Sequence, residues 1–123
     1  MSQALILFAH GARDPEWAVP IRRVQAAVRD LAPHLAVECA FLEFMTPALP
    51  ECADALAALG VARVVVLPMF IAQGGHLKRD VPLLIEALRQ RHPGVQFVLA
   101  PAIGENDAVL RAMAATAAAL AGS

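Results

Sequence analysis

The stretch VARVVVLPMF, residues 61–70, is apolar at consecutive positions rather than alternate ones, the pattern of a strand with both faces covered. Three further runs share its character: ALILFA (4–9), VECAFLEF (37–44) and VQFVLA (95–100). The segments between them have helical spacing. In the first, Ile21, Val24, Val28 and Leu31 share a face with Arg22, Arg23 and Arg29 off it; Asp14 suits a cap for Pro15, and Pro20 delays or kinks the helix. Thr46-Pro47 opens a second helix carrying Leu49, Ala53, Leu56 and Leu59, which Gly60 closes. Asp80 reads as the cap of a third, with Val81, Leu84, Ile85 and Leu88 facing in, ending before His92-Pro93-Gly94; Asn106 or Asp107 begins an Ala-rich fourth that reaches about Leu120. Strand and helix alternating four times predict an α/β fold, because each parallel strand pair needs a crossover that covers a face. Right-handed crossovers favour a four-stranded parallel sheet of order 2-1-3-4 with helices on both faces, strands 1 and 3 adjacent at the switch point and ligands beyond their carboxyl ends.

Size and composition narrow the function. A chain of 123 residues suits one domain over 1–123. Its 59% apolar content and mean hydropathy of +0.58 raise a membrane reading, but Pro68 and Gly74-Gly75 interrupt the apolar windows short of the roughly 18 residues a span needs. The opening Met-Ser-Gln lacks the basic start of a signal peptide, so a soluble, cytoplasmic protein is expected. Cys39 and Cys52 form no C-x-x-C and read as small buried hydrophobes. A net charge of −1 without a basic tract argues against a nucleic-acid partner. The apolar excess points to a second copy covering part of the surface.

Three polar residues arrive at the carboxyl edge. His10 follows strand 1, Glu43 ends strand 2, and His76 is expected in the loop between strand 3 and helix 3, facing His10 across the switch point. Gln73-Gly74-Gly75 just before His76 provides a backbone that a ligand can approach, with Lys78 and Arg79 after it. His34 and His92, each beside a proline at a helix end, fit surface caps. Nucleophilic catalysis has no G-x-S-x-G elbow, and the P-loop pattern is missing. A histidine phosphatase would carry Arg before its histidine, where Ala9 stands. GGHLK before a helix leaves phosphate binding as a rival. Imidazole nitrogen with carboxylate oxygen suits Fe, Co, Ni or Zn, and the absence of thiolate fits an ion that is delivered rather than kept. Catalyst and carrier both remain open on these residues.

FAHGARDP, FLEF followed by Thr46-Pro47, and LPMFIAQGGHLKRDVP together resemble the three motif regions of the short class II chelatases, the sirohydrochlorin chelatases, over nearly the whole chain. The resemblance implies a chelatase-like, flavodoxin-like domain and ATP-independent insertion of a divalent metal into sirohydrochlorin, as in cobalamin or sirohaem biosynthesis. Cobalt is favoured, then iron, with Ni2+ a further substrate, and no organic cofactor is expected. It implies His10 and His76 as metal and catalytic residues with Glu43 as the associated acid. Longer members have two such domains around a cleft, so the resemblance implies a homodimer here. Arg13, Lys78 and Arg79, with Gly74 and Gly75, lie where the macrocycle and its carboxylates would bind. After APAIG, where many members have His-Pro, this chain has Glu105-Asn106. Insertion must remove two pyrrole protons, and neutral imidazoles, with a reference pKa of about 6.5, suit both ligation and proton acceptance. The alternative is a non-catalytic metal or tetrapyrrole carrier using the same histidines.

Overall fold

A computed structural model describes residues 2–122. Strands β1 (Gln3–Ala9), β2 (Ala36–Phe41), β3 (Arg63–Pro68) and β4 (Gln96–Leu99) form one parallel sheet of order β2-β1-β3-β4, as the apolar runs predict. Helix α1 (Val19–Leu31) lies on one face with Leu7, Val37 and Cys39; α2 (Leu49–Ala58) and α3 (Gly75–Arg91) bury Ile6, Phe8, Val64 and Val66 on the other. Right-handed crossovers require this division, since the chain moves one way from β1 to β2 and the opposite way in the two later crossovers. Phe8 and Phe41 are fully buried, and truncating either to Ala costs about 3–5 kcal/mol.

Helix α1 corrects the predicted stripe. Val24 and Leu31 are exposed, and the residue buried between them is Gln25. Its amide donates to the Val37 carbonyl at 2.9 Å, joined by Arg29 at 2.9 Å. β2 is an edge strand, and a backbone acceptor tucked under a helix needs a polar partner, so a purely apolar helix face is the wrong expectation there. Arg89 of α3 serves the other edge, donating to the Phe97 carbonyl of β4 at 3.0 and 3.3 Å. Asp14 does cap the chain before α1: its carboxylate accepts from the Glu16 N–H at 3.0 Å and starts a short 3-10 turn, Pro15–Ala18, while Pro20 occupies the first turn of α1, where no N–H is missed.

Two predicted helix starts move. Thr46–Pro47 is a cis peptide in the β2–α2 connection, and the Pro47 carbonyl accepts from the Phe41 N–H at 2.9 Å, so the chain is still pairing with β2 and α2 begins only at Leu49. Leu59 lies 79% exposed at its end, off the buried face of Leu49, Cys52, Ala53 and Leu56. Gly60 closes the helix as expected, at φ 83°, with its N–H on Ala57 O (3.0 Å) and the Val61 N–H on Leu56 O (3.2 Å). Helix α3 starts at Gly75, so Asp80 is an interior residue and His76, Lys78 and Arg79 belong to the helix instead of the loop before it. Its N-cap is Gly74, which has no side chain to advertise a cap; the Lys78 N–H bonds the Gly74 carbonyl at 3.1 Å.

Helix α4 (Asp107–Gly122) stands apart from the core: none of its residues is buried, although most are apolar. On the α1 face of the sheet the cover also thins from β2 towards β4. Val37, Cys39 and Leu7 are buried, whereas Leu5, Val65, Leu67 and Val98, which lie beside them in register, are only half-buried.

Candidate functional site

The predicted edge is built by backbone pairing that outlasts the strands. Beyond β1 and β2 the chains stay hydrogen-bonded, Leu42 N–H to Ala9 O at 2.9 Å and Glu43 N–H to His10 O at 3.0 Å. Gly11, at φ 93°, lies flat against the Glu43 carbonyl, and a Cβ at that position would overlap its oxygen. Only glycine meets both demands. The result is a fixed juxtaposition: His10 Nε2 stands 3.4 Å from Glu43 Oε2, with both side chains about half exposed. That separation is long for a hydrogen bond and leaves the pair loosely coupled and open to a ligand.

His76 lies exposed in the first turn of α3. Among the described residues no three His, Cys, Asp or Glu side chains are grouped closely enough to hold a metal ion, so the structure joins His10 to Glu43 and does not add His76 as a third ligand. Gly74 and Gly75 precede it in open space, where an added Cβ meets nothing within 4 Å. The chain itself therefore does not require glycine at those positions. Lys78 lines a cleft of about 360 Å³ with Gln73, Pro101 and Glu105, while Arg79 is exposed on α3.

Glu105 and Asn106 are caps. The Glu105 carboxylate accepts from the Ala102 N–H at 3.2 Å, and the Asn106 side chain accepts from the N–H groups of Ala108 (3.0 Å) and Val109 (3.3 Å) to start α4. Gly104, just before them, is pressed on the backbone of Ile71, which ties the fourth loop to the segment leading to His76. The remaining polar groups have structural duties. His92 is the C-cap residue of α3, and its ring meets Asp54 of α2 at 2.7 Å; with Arg91 at 2.6 Å this holds the Asp54 carboxyl below its ordinary pKa, the His92 bond being the larger cause. Both cysteines are free and buried; desolvation raises the Cys39 thiol and pushes Cys52 up to about 12, so neither is a nucleophile.

Apart from Arg13, sequence reasoning missed the α1 side of the edge. Ala12 and Arg13, continuing from His10-Gly11, and Phe44, Met45 and Thr46, continuing from Glu43, wall a cleft of about 380 Å³ that Arg22 of α1 completes. Arg13 stacks 4.6 Å over the Phe44 ring and Arg22 lies 5.7 Å over that of Phe41. Arg22 carried no signal beyond its position on the polar side of a helix.

The doubly wound parallel sheet thus carries a histidine–carboxylate pair at the carboxyl ends of β1 and β2. The CbiX family profile matches residues 4–120: the chain belongs to the CbiX family of class II sirohydrochlorin chelatases and is by family a metallochelatase. It is 32% identical over 108 residues to the sirohydrochlorin cobaltochelatase of Sulfurisphaera tokodaii, covering 85% of this chain and 82% of that one. To the sirohydrochlorin cobaltochelatase of Priestia megaterium it is 31% identical, covering 88% of this chain but only 35% of the longer relative. The crystal structure of the CbiX protein of Marinobacter aquaeolei superposes with a TM-score of 0.82 at 30% identity, covering 98% of this chain and 99% of that one. SirB of Bacillus subtilis subspecies spizizenii, solved with cobalt, shares the fold at TM-score 0.77 and 23% identity, with 91% of this chain matching 48% of SirB.

Proposed function

We propose that residues 1–123 act as one chelatase domain that inserts a divalent metal, cobalt ahead of iron, into sirohydrochlorin without ATP. The observation that carries this is the His10–Glu43 pair, fixed at the carboxyl edge by Gly11, in a chain of this family. Glu43 accepting from the ring N–H at Nε2 orients the His10 imidazole and leaves the lone pair on Nδ1 for an ion, the arrangement by which carboxylates orient metal-site histidines. His10, with His76 as the second nitrogen, presents the ion; as it enters the macrocycle two pyrrole protons leave, one route being His10 to Glu43 and water. Nitrogen and oxygen ligands discriminate weakly among first-row ions, so Ni2+ is also a competent substrate, and cobalt is favoured from what the relatives act on. Gly74, Gly75, Arg13, Lys78 and Arg79 receive the macrocycle. No organic cofactor, nucleic acid or membrane enters this scheme, and the setting is the cytoplasm; no helix among the described residues is long and apolar enough to cross a membrane.

The working unit in this reading is a homodimer. One chain offers a helix, α4, with an exposed apolar face that includes Ala112, Met113 and Ala117, and also a sheet face whose β3–β4 side is only half covered. A second copy meets both needs reciprocally, as a self-complementary interface does. Light scattering should find a dimer, and Met113→Glu should dissociate it; a monomer that still turns over removes the dimer from the scheme.

The activity is tested by mixing the protein with sirohydrochlorin and Co2+, Fe2+ or Ni2+ and following the macrocycle absorbance. Multiple turnovers, abolished in His10→Ala and His76→Ala proteins that remain folded, support the chelatase. A spectral change that stops at one equivalent supports a carrier that uses the same histidines.

A further inference from the structure

The cleft on the α1 side of the edge has features that metal insertion alone does not explain. Its two walls are the direct continuations of the backbones that hold His10 and Glu43, so it opens immediately beside that pair. Arg13 and Arg22 both line it, and neither has a carboxylate within ion-pair distance among the described residues; Arg23, Arg63 and Arg79 are unpaired as well but line no part of this cleft, and Arg29, Arg89, Arg91 and Arg111 are each paired. The two guanidiniums are instead laid against rings, Arg13 on Phe44 and Arg22 on Phe41. Neither guanidinium has a hydrogen-bond acceptor among the described residues, which leaves N–H groups of both for a carboxylate, the group a guanidinium grips by two parallel bonds. Phe44 holds its place at φ 68°. A bulky side chain in the left-handed region is uncommon and persists where the surroundings impose it, which here fixes the ring under Arg13. Ala18 and Met45 give the same cleft an apolar floor.

We infer that the Arg13–Arg22 cleft is a subsite for one aliphatic carboxylate arm on the rim of the macrocycle, and that Arg22 is a specificity-determining residue. The methylenes of the arm lie on Ala18 and Met45, its carboxylate meets the two free guanidinium edges, and the ring from which it hangs is thereby placed over His10. The assignment rests on the chelatase reading and adds to it an orientation: a macrocycle lacking an acid at that rim position binds without a preferred rotation.

The test is a cycle between protein and ligand, read as quenching of the fluorescence of metal-free macrocycle. Arg22→Ala should weaken binding of the free-acid macrocycle about two- to fivefold, the modest range of an exposed charge pair, and raise KM more than it lowers kcat, equally for Co2+ and Ni2+. Fully methyl-esterified macrocycle should bind the parent protein more weakly, and with this ligand Arg22→Ala should cause no further loss. Arg22→Lys, which keeps the charge without the fork, should recover part of the affinity for the acid. If esterification weakens parent and Arg22→Ala proteins by the same factor, the cleft does not hold an arm and the inference fails while the chelatase reading stands. If the parent protein binds no free-acid macrocycle, that reading fails and this one with it. If inorganic phosphate at millimolar concentration raises the Tm of the parent and not of Arg22→Ala, while both proteins bind the free-acid macrocycle equally tightly, the cleft takes free anions and the assignment is overturned.

Discussion

Gly11→Ala should damage the site far more than its single added methyl suggests. The residue sits at φ 93°, and its new Cβ would run into the carbonyl oxygen of Glu43, a backbone atom that cannot swing aside. Holding alanine in the left-handed region costs about 1–2 kcal/mol. Relief of the overlap requires the two loops to part, which gives up the Glu43 N–H to His10 O bond of 3.0 Å, a further loss of about 0.5–1.5 kcal/mol. Together with residual crowding the expected destabilisation is about 2–4 kcal/mol. At roughly 3–5 °C per kcal/mol for a chain of this size, the Tm should fall by roughly 6–20 °C. Activity should suffer separately, because parting the loops draws His10 away from Glu43. The assay pairs thermal unfolding with macrocycle metallation well below the Tm, using His10→Ala as the comparison, a protein that should lose activity while melting near the parent. A Gly11→Ala protein that melts with the parent and inserts metal at the parent rate would refute the claim that this close approach builds the site.

Gly104→Ala should act from the far side of the edge: its Cβ overlaps the Ile71 backbone, so overpacking should cost about 1–3 kcal/mol and displace the segment leading to His76, measured as a lower Tm together with slower insertion. Both thiols should resist a thiol-labelling reagent at pH 8 in the native protein and react on unfolding, since Cys52 is pushed up to about 12 and Cys39 is raised, each chiefly by burial; rapid native labelling would contradict the buried assignment. Asp54→Asn should destabilise the protein at neutral pH by uncoupling α2 from the end of α3. Because the folded-state pKa of Asp54 is depressed, its contribution is fully present above the unfolded value and is lost as pH falls through the folded one. The gap between parent and variant in denaturant titrations should therefore shrink below about pH 4, and a gap that widens in acid would contradict the sign.

Consecutive apolar runs determine that VVVL and LILF are buried strands, and four such runs separated by helical spacing leave few right-handed parallel topologies; the order favoured among them, β2-β1-β3-β4, is the one the sheet adopts. Sequence also puts His10 after strand 1 and Glu43 at the end of a strand read over 37–44, which the structure ends at Phe41; both still reach the same edge, since position along a strand decides which edge a residue reaches. Local signals read well where the deciding contact is local, as at Asp14 and Gly60, and poorly where it is not. Thr46-Pro47 reads as a helix start, but the Pro47 carbonyl is taken by Phe41; Gly74 carries no capping side chain, so Asp80 reads as the cap although the helix is capped by Gly74. Gln25 has no part in the apolar stripe read for α1, yet it is buried, because the Val37 carbonyl of an edge strand needs a donor. The 3.4 Å meeting of His10 with Glu43, the demand for glycine at position 11, and the placing of Arg22 beside Arg13 in one cleft each join segments distant in the chain. Such meetings have no periodicity and no local motif. They are fixed by sheet register and by how α1 settles on the sheet, and so only the tertiary structure decides them.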